Sequence, residues 1–378
     1  MPNKKASIGN SSPRKRPDGT WEARFTINGH RKSVYGKTQK EAAQKKREAL
    51  SAADQGQYIA PSKQTVCQWL RQWEEIYGRP TWRATTASTH HQSIENHLIP
   101  VLGNFPLQKL TAEPIQAFII QQQKAGAKPA TIIKQPSPLK SALHQAVILK
   151  KINSNPFEGV KMPRLVQAEV EHLNEAEQVA YVSALPDTTT GRLLRFILAT
   201  GLRIGEAIGL RWEDVEDQQF TVRRTIATVS NFEREEGETR TRQAVQPTKT
   251  GAGLRVIPLG PDMRQLLSRQ RIAQAEERLK AWECWENQGY CFASAVGTPL
   301  QVRNVRRTHN KTLELSGVTR VTLHGLRHSF ATRWLSLDND IRGLSEILGH
   351  ADVATTLRRY VHSDPTHKAD MMKLMEVL

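Results

Sequence analysis

The first sixty residues combine a strand pattern with a helical one. Between residues 21 and 27 apolar side chains alternate with polar ones, and Asn28-Gly29 then supplies the residues that favour a tight type I′ turn. A return strand follows over residues 30–35. A capping box at Thr38 predicts the start of a helix that reaches about residue 53. Residues 1–20 are rich in basic residues, serine and proline, and they predict a flexible basic lead-in.

Helical spacing dominates the next hundred residues. The first of four predicted helices begins after Thr65, and the others cover about residues 85–98, 115–123 and 139–150. Pro136 and Pro138 interrupt what would otherwise be one helix from Thr131. Because a proline lacks the donor N–H and clashes with the preceding turn, we expect the helix there to begin late or to kink.

From about residue 173 the pattern is mixed. An apolar run at residues 193–198 predicts a buried helix that ends at Gly201, and a second short helix follows at 205–210. The polar, charge-rich residues 231–242 predict an exposed loop. Further strands are predicted at residues 220–229, 244–246, 254–259 and 290–293. Further helices are predicted at residues 261–285 and in four segments beyond residue 300. The pattern as a whole indicates a mostly α protein with small β-sheets.

The amino-acid composition indicates a polyanionic partner. The 378 residues include 54 Lys+Arg against 37 Asp+Glu, which leaves a net charge of +17 at pH 7. A chain of this length can form two or three domains. A basic excess of this kind favours nucleic acid as the partner, although many basic proteins bind none.

The cysteines and the apolar runs exclude other classes of protein. Cys67, Cys284 and Cys291 lack the spacing of a zinc site, and an odd number without a framework fits a reducing compartment. The basic start has no apolar stretch behind it, and no run approaches the roughly 18 apolar residues of a membrane span. We therefore expect a soluble, intracellular protein with no metal site and no membrane partner.

Two segments place a basic residue on a turn. In Ala199-Thr-Gly-Leu-Arg203-Ile-Gly-Glu206, Arg203 follows a helix-ending glycine. Such an arginine is either a solvated charge or, where a second helix begins behind it, a fixed guanidinium fork suited to a phosphate. Lys249 lies on a turn before the strand at 254–259. Taken alone, a turn lysine is usually solvated.

Two later segments place polar residues at helix ends. His324 and Arg327 are three residues apart at the start of an apolar helix, and they share one helical face. Together they concentrate positive charge at a helix N-terminus, where anions bind readily. Leu348-Gly349-His350 marks a helix that ends at glycine, and Tyr360 follows ten positions after His350.

In this order and spacing, the four segments resemble the tyrosine recombinases, also called phage integrases. The resemblance is carried by Arg203 in ATGLRIGE, Lys249 on a hairpin, His324 and Arg327 in HxLRH, His350 in LGH, and Tyr360. It implies a multi-domain chain in three parts. These parts are an arm-type DNA-binding domain at residues 1–58 (a three-stranded sheet plus a helix), an all-α core-binding bundle at 64–162, and a mixed α+β catalytic domain at 170–378.

The resemblance also implies a mechanism. Tyr360 is the expected nucleophile, which cleaves DNA through a 3′-phosphotyrosine, and the partner strand's 5′-hydroxyl reverses the step without a cofactor or metal. The remaining implied roles are phosphate contacts for Arg203, Arg327 and His350, a proton acceptor for His324, a general acid for Lys249, and a buried support for Glu206. A free phenol has a pKa of about 10, so the nucleophile needs a base at neutral pH.

The implied partners are double-stranded DNA with core and arm attachment sites, a homotetramer on two duplexes, and an excision or DNA-bending accessory protein. The chain would integrate or excise a mobile element such as a prophage in the cytoplasm of a bacterial host. The apolar spacing of Met371, Met372, Leu374 and Met375 predicts an amphipathic tail, and we expect it to pack either on its own domain or on a neighbouring protomer.

The N-terminal strands carry candidate DNA contacts of their own. Arg24, Arg31 and Lys32 make the predicted ribbon basic. A two-stranded ribbon fits the major groove of DNA, whereas the alternative is an appendage that only increases solubility.

Two other functions are compatible with the same fold. One is a type IB topoisomerase-like enzyme that relaxes a single duplex, and the three-part layout with an arm sheet argues against it. The other is a DNA-binding protein that uses the fold without catalysis. Such a protein is expected to have lost Arg203, Arg327 or Tyr360, and all three are present.

Overall fold

Helices with three small sheets make up the regular structure of the chain. The structure is a computed structural model, and it describes residues 12–27, 30–55, 58–165, 171–232, 234–247, 253–337 and 340–349. The chain divides into two compact units, Met1–Val166 and Gln167–Leu378. The three-part division at 1–58, 64–162 and 170–378 remains a prediction.

The first unit begins with a three-stranded antiparallel sheet in the order β1-β2-β3. Its elements are β1 (Arg14–Lys15), β2 (Trp21–Ile27), β3 (His30–Gly36) and the helix α1 (Gln39–Asp54). Ala23 and Phe25 are buried on the apolar face of β2, where α1 packs against the sheet. The two predicted strands and the helix are confirmed. Asn28 and Gly29 of the predicted turn lie outside the described residues.

The rest of the first unit is helical. Its α-helices are α2 (Val66–Trp73), α3 (Ala84–Ser93), α4 (Ile99–Leu102), α5 (Ala112–Lys124), α6 (Pro129–Lys134) and α7 (Ser137–Ile148). Two π-helical turns, Glu74–Gly78 and Ile94–Leu98, follow α2 and α3. Trp69 is fully buried in the apolar core, and its indole N–H donates to the carbonyl of Ala142 at 2.9 Å.

The two prolines separate α6 from α7. The first helix ends at Lys134 and the second begins at Ser137, so the predicted interruption is confirmed. Pro138 occupies the first turn of α7. A proline is tolerated there because the first N–H groups of a helix have no intrahelical acceptor.

The second unit combines seven helices with two short strand pairs in its described part. The helices are α8 (Glu175–Ser183), α9 (Thr189–Thr200), α10 (Ile204–Ile208), α11 (Pro261–Ala281), α12 (Val302–Ser316), α13 (Leu323–Leu337) and α14 (Ile341–Leu348). The strands are β4 (Gln219–Val222), β5 (Arg224–Ser230), β6 (Thr241–Pro247) and β7 (Arg255–Pro258). The predicted buried helix that ends at Gly201 is confirmed as α9.

The strands differ from the prediction in detail. The single strand expected at 220–229 divides at Arg223, because β4 pairs with β7 whereas β5 pairs with β6. The exposed loop expected at 231–242 is shorter, since β6 already begins at Thr241. The prediction of a strand at 290–293 is wrong. Tyr290 and Ala293 form only isolated bridges to different partners, so no continuous ladder develops.

A large apolar core fills the second unit, and a smaller cluster lies beside it. The smaller cluster consists of Ala331, Leu344 and Leu348, with Phe330 and Trp334 packed against it. It joins α14 to α13. In the described part of the chain, no helix has both the length and the apolar character that a membrane crossing requires.

The end of α9 determines how closely the later helices approach. Gly201 caps α9 in the left-handed conformation, with φ of 66°. A Cβ at this position would lie 2.4 Å from Cδ1 of Phe330 and 3.0 Å from Cδ2 of Leu348. The position therefore needs glycine for both its backbone conformation and its packing.

We expect Gly201→Ala to destabilise the protein more than Gly317→Ala. Gly317 is a matched control because it caps α12 with the same φ of 66° but has open space around its Cα. The control should lose about 1 kcal/mol from its left-handed backbone. Gly201→Ala should lose about 1–3 kcal/mol more, because Phe330 and Leu348 must move. Denaturant unfolding measures both losses, and equal losses would contradict the packing argument.

Candidate active site

Arg203 lies on a turn between two helices. Gly201 ends α9, and Arg203 has an extended backbone just before α10 begins at Ile204. The next glycine lets α10 approach β5 closely, because a Cβ on Gly205 would lie 2.5 Å from Oγ1 of Thr225. The side chain of Arg203 is 40% exposed, so it is held by the fold and open to a ligand.

Glu206 is the buried counter-charge of this turn. Its Oε1 lies 2.8 Å from the guanidinium of Arg203, and its Oε2 accepts the backbone N–H of Arg203 at 3.0 Å. The other partner is Arg255 on β7, whose guanidinium lies 2.8 Å from Oε2. Both carboxylate oxygens are therefore shared between two arginines.

The arginines keep this carboxylate ionised. Burial by itself raises the pKa of Glu206, but the hydrogen bond and charge of Arg255 and the charge of Arg203 outweigh it. The net effect lowers the pKa from 4.5 to about 2. A buried carboxylate with such partners stays charged throughout the neutral range.

Arg327 reaches the same place from α13. Its side chain is fully buried, and its two terminal nitrogens donate to the carbonyls of Gly201 at 2.9 Å and Leu348 at 2.6 Å. These carbonyls end α9 and α14. The last carbonyls of a helix lack intrahelical donors and carry partial negative charge, so a guanidinium is a suitable partner.

Arg203 and Arg327 converge on one oxygen. The carbonyl of Leu348 accepts from Arg327 and, at 3.4 Å, from Arg203. Two cations from segments more than 120 residues apart in sequence therefore meet at the end of α14. A pair of guanidinium groups held in this way can clamp the oxygens of a phosphate.

His324 lies one turn before Arg327 on the same helix. Its side chain is exposed, and its ring stacks edge-on against His328 with 4.9 Å between the centroids. The helix start is held by Thr322, whose hydroxyl accepts the N–H of Gly325 at 3.1 Å. The imidazole is thus placed at the surface above the buried Arg327.

The other three candidate residues lie outside the described residues. Lys249 belongs to the connection between β6 and β7, His350 directly follows the left-handed Gly349 that caps α14, and Tyr360 lies beyond it. The strands on either side of Lys249, β6 and β7, belong to two different pairs. The structure brings together Arg203, Glu206 and Arg327.

Arg255 is a member of the site that the sequence analysis did not find. Its guanidinium bonds to Glu206, to the carbonyl of Ile347 and, at 3.2 Å, to the carbonyl of Gly253. One sequence signal was present. In the period-two pattern of β7, Arg255 shares the buried face with Ile257, and a buried arginine needs a counter-charge.

A buried histidine supports the start of α13. His309 accepts the hydroxyl proton of Tyr181 at its Nδ1, 2.7 Å away, while its Nε2–H donates to the carbonyl of Val321 at 2.9 Å. This tautomer follows from the carbonyl, which can only accept. Burial lowers the pKa of His309, so the neutral ring is favoured. The pair fixes the residues just before His324.

The candidate DNA contacts of the first sheet lie on two faces. Arg24 and Arg31 point away from α1, and Glu22 binds Arg24 at 2.9 Å on that outer face. Lys32 is paired with Phe25, and it therefore lies on the face that α1 covers. Arg24 and Arg31 thus form one surface from which Lys32 is separate.

Comparison with known families agrees with this geometry. Residues 163–367 match the phage integrase family, and residues 65–121 match the phage integrase N-terminal SAM-like domain. The chain belongs to the phage integrase family. It is therefore a tyrosine recombinase, an enzyme that cuts and rejoins DNA strands at specific sites.

Curated relatives of this integrase extend along nearly the whole chain. A tyrosine recombinase XerC-like protein from Caldanaerobacter subterraneus subsp. tengcongensis is 27% identical over 360 residues, which is 92% of each chain. An integrase from Saccharopolyspora erythraea is 25% identical over 398 aligned positions and covers 91% of each chain. The similarity is therefore not confined to the catalytic motifs.

Solved structures share the fold of this integrase. The Tn1549 transposon integrase in complex with a circular intermediate DNA has a TM-score of 0.63 at 21% identity, covering 82% of this chain and 99% of that one. A lambda integrase dimer bound to a core site has a TM-score of 0.60 at 18% identity, covering 95% and 96%. Both have the multi-domain layout expected for this chain.

We expect Glu206→Gln to reduce the stability of the recombinase in a pH-dependent way. The folded pKa of Glu206 is depressed to about 2 from 4.5. The carboxylate thus contributes stability above pH 4.5 that is lost as the pH falls toward 2. From the difference between the two pKa values, the pH-dependent contribution of Glu206 to the free energy of unfolding is on the order of 3 kcal/mol.

Denaturant unfolding of the wild-type and Glu206→Gln proteins between pH 3 and 7 measures this contribution. The difference in unfolding free energy between the two proteins should be constant above pH 5 and should become smaller below pH 4.5. A gap that widened toward acid would contradict an ionised Glu206 in the folded protein.

Proposed function

We propose that this recombinase integrates or excises a mobile element by using Tyr360 as its nucleophile. The observation that carries the proposal is the convergence of Arg203 and Arg327 on the carbonyl of Leu348. A phosphodiester resists attack because its charge repels nucleophiles and its alkoxide leaves poorly. Cations held in place before the reaction lower that barrier without a cost of reorganisation.

The cleavage step divides among the candidate residues. The hydroxyl oxygen of Tyr360 attacks the scissile phosphorus, and its proton passes to His324. Arg203, Arg327 and His350 stabilise the charge on the non-bridging oxygens. Lys249 donates a proton to the departing 5′-oxygen. Bond formation to the tyrosine and loss of the 5′-hydroxyl leave a 3′-phosphotyrosine, and the reverse reaction with a new 5′-hydroxyl rejoins the strand.

The assembly that we propose is a homotetramer on two duplexes with core and arm attachment sites. Its support is the fold shared with lambda integrase, which has been solved as a tetramer bound to a Holliday junction. We further propose that an excision or DNA-bending accessory protein sets the direction of recombination. We also propose that the protein acts in the cytoplasm of a bacterial host.

The outer face of the first sheet is the proposed arm-site contact. Arg24 and Arg31 line this face, and Arg16 lies over the exposed ring of Tyr35 with 5.2 Å between the guanidinium carbon and the ring centroid. Glu22 holds Arg24 by one nitrogen, which leaves the other donors of the guanidinium fork for DNA.

We expect Tyr360→Phe to abolish covalent attachment to DNA while leaving binding to the core site intact, because only the attacking hydroxyl is removed. Incubation with a nicked suicide substrate, followed by denaturing electrophoresis, measures the covalent product. Tyr77→Phe, which removes a hydroxyl from a partly exposed tyrosine of the first unit, is the control and should retain the product. A covalent product from Tyr360→Phe would place the nucleophile elsewhere.

We expect the double substitution Arg24→Ala and Arg31→Ala to weaken arm-site binding far more than Lys32→Ala. Each lost phosphate contact should also make binding less dependent on salt. Titrations of full-length protein with arm-site and core-site duplexes at several salt concentrations measure this. Core-site affinity should change little in every variant. Equal losses at both kinds of site, or an equal loss from Lys32→Ala, would remove the assignment of this face.

A further inference from the structure

Three arginines surround the C-terminal end of α14. Arg203 and Arg327 donate to the carbonyl of Leu348, and Arg255 donates to the preceding carbonyl, that of Ile347. The first two belong to the proposed catalytic set. The third is 8% exposed, and its Nε and both terminal nitrogens are bonded to Ile347, Gly253 and Glu206.

Arg255 joins three separate segments. Through both terminal nitrogens it contacts Glu206, at 2.8 and 3.4 Å, and through its Nε it holds the end of α14. Its own strand, β7, directly follows the connection that carries Lys249. The carboxylate that Arg255 holds is the same one that binds Arg203.

We propose that Arg255 is a positioning residue for strand cleavage, because it holds Glu206 against Arg203 and holds the end of α14 beneath both catalytic arginines. The inference rests on the proposed function of this site. Arg255 acts through other groups and does not contact the reacting phosphate. Without it, Glu206 would remain buried with one cationic partner, and the turn that presents Arg203 would lose its second anchor.

The charges around Glu206 make this role measurable. In the described part of the chain, the charged side chains bonded to Glu206 are Arg203 from its own turn and Arg255 from β7. The neighbouring strand β5 approaches α10 through Thr225 and the carbonyl of Ile226, and α14 contributes backbone carbonyls. Removal of Arg255 therefore leaves the cost of burial less opposed, and Glu206 should take up a proton at a higher pH.

The experiment compares Arg255→Gln and Arg255→Lys with wild type in the full-length protein. The readout is the single-turnover rate of covalent product formation on a suicide substrate between pH 5 and 8, measured over a range of protein concentrations. Arg192→Gln is the matched control, since Arg192 is a largely buried arginine of the same unit that pairs with Asp187 and Gln270.

Arg255→Gln should reduce the maximal rate at pH 7.5 by about 10- to 100-fold, by analogy with the loss that follows removal of a group that orients a metal-binding side chain. The protein concentration for half-maximal rate should change little. The ratio of the variant's rate to that of wild type should fall further toward pH 5, and adding Glu206→Gln to the variant should abolish that fall. Arg255→Lys should also be slower than wild type. The ratio of its rate to that of wild type should stay constant with pH, because the lysine keeps the positive charge.

A wild-type rate in Arg255→Gln, or a loss shared equally by Arg192→Gln, would overturn the proposal. If Arg255→Gln does not fold, Arg255→Lys serves as the test. A wild-type rate in Arg255→Lys would likewise overturn the proposal.

Unfolding free energy over the same pH range separates this inference from the proposed function. The difference in unfolding free energy between wild type and Arg255→Gln should be larger at pH 7 than at pH 3. When Glu206→Gln is present in both proteins, the difference should not depend on pH. A wild-type protein that forms no covalent product would refute the proposed function. A pH-independent gap would refute the link between Arg255 and Glu206 whether or not the enzyme is active.

Discussion

The carbonyl groups at the end of α14 are the constraint on which the site depends. A helix ends with carbonyls that have no donor of their own, and here the last two face guanidinium groups from three other segments. Arg327 is almost completely buried, and a buried charge is costly unless it is hydrogen-bonded. The end of α14 must therefore stay where it is for the arginine to be tolerated, and the arginine in turn holds α13 to α9.

Close packing makes this arrangement possible. Gly201 lets Phe330 and Leu348 approach the end of α9, and Gly205 lets α10 lie against the backbone of β5. Glu206 then pairs its single negative charge with two of the three arginines, Arg203 and Arg255. The result is a cationic site with one counter-charge, in which the side chain of Arg203 remains partly exposed and that of Arg327 is buried. In the proposed function, donors that the fold already holds in place stabilise the charge of the transition state.

The same network borders the segments that carry the remaining candidates. His350 follows the glycine that caps α14, and Lys249 precedes the strand that begins at Arg255. The pair of His309 and Tyr181 plays a comparable structural role for His324, because it holds Val321 just before α13.

The sequence by itself predicted the end of α9 at Gly201, the strand pair β2 and β3 and the residue types of a phosphate site, because these follow from local periodicity and from short motifs. It grouped Arg24, Arg31 and Lys32 as one set of DNA contacts, whereas the strand register separates Lys32 from the other two. Only the tertiary structure decided that β4 pairs with β7 and β5 with β6, and that Arg255 meets Glu206 from 49 residues away. Such pairings depend on which surfaces pack together, and no local pattern encodes them.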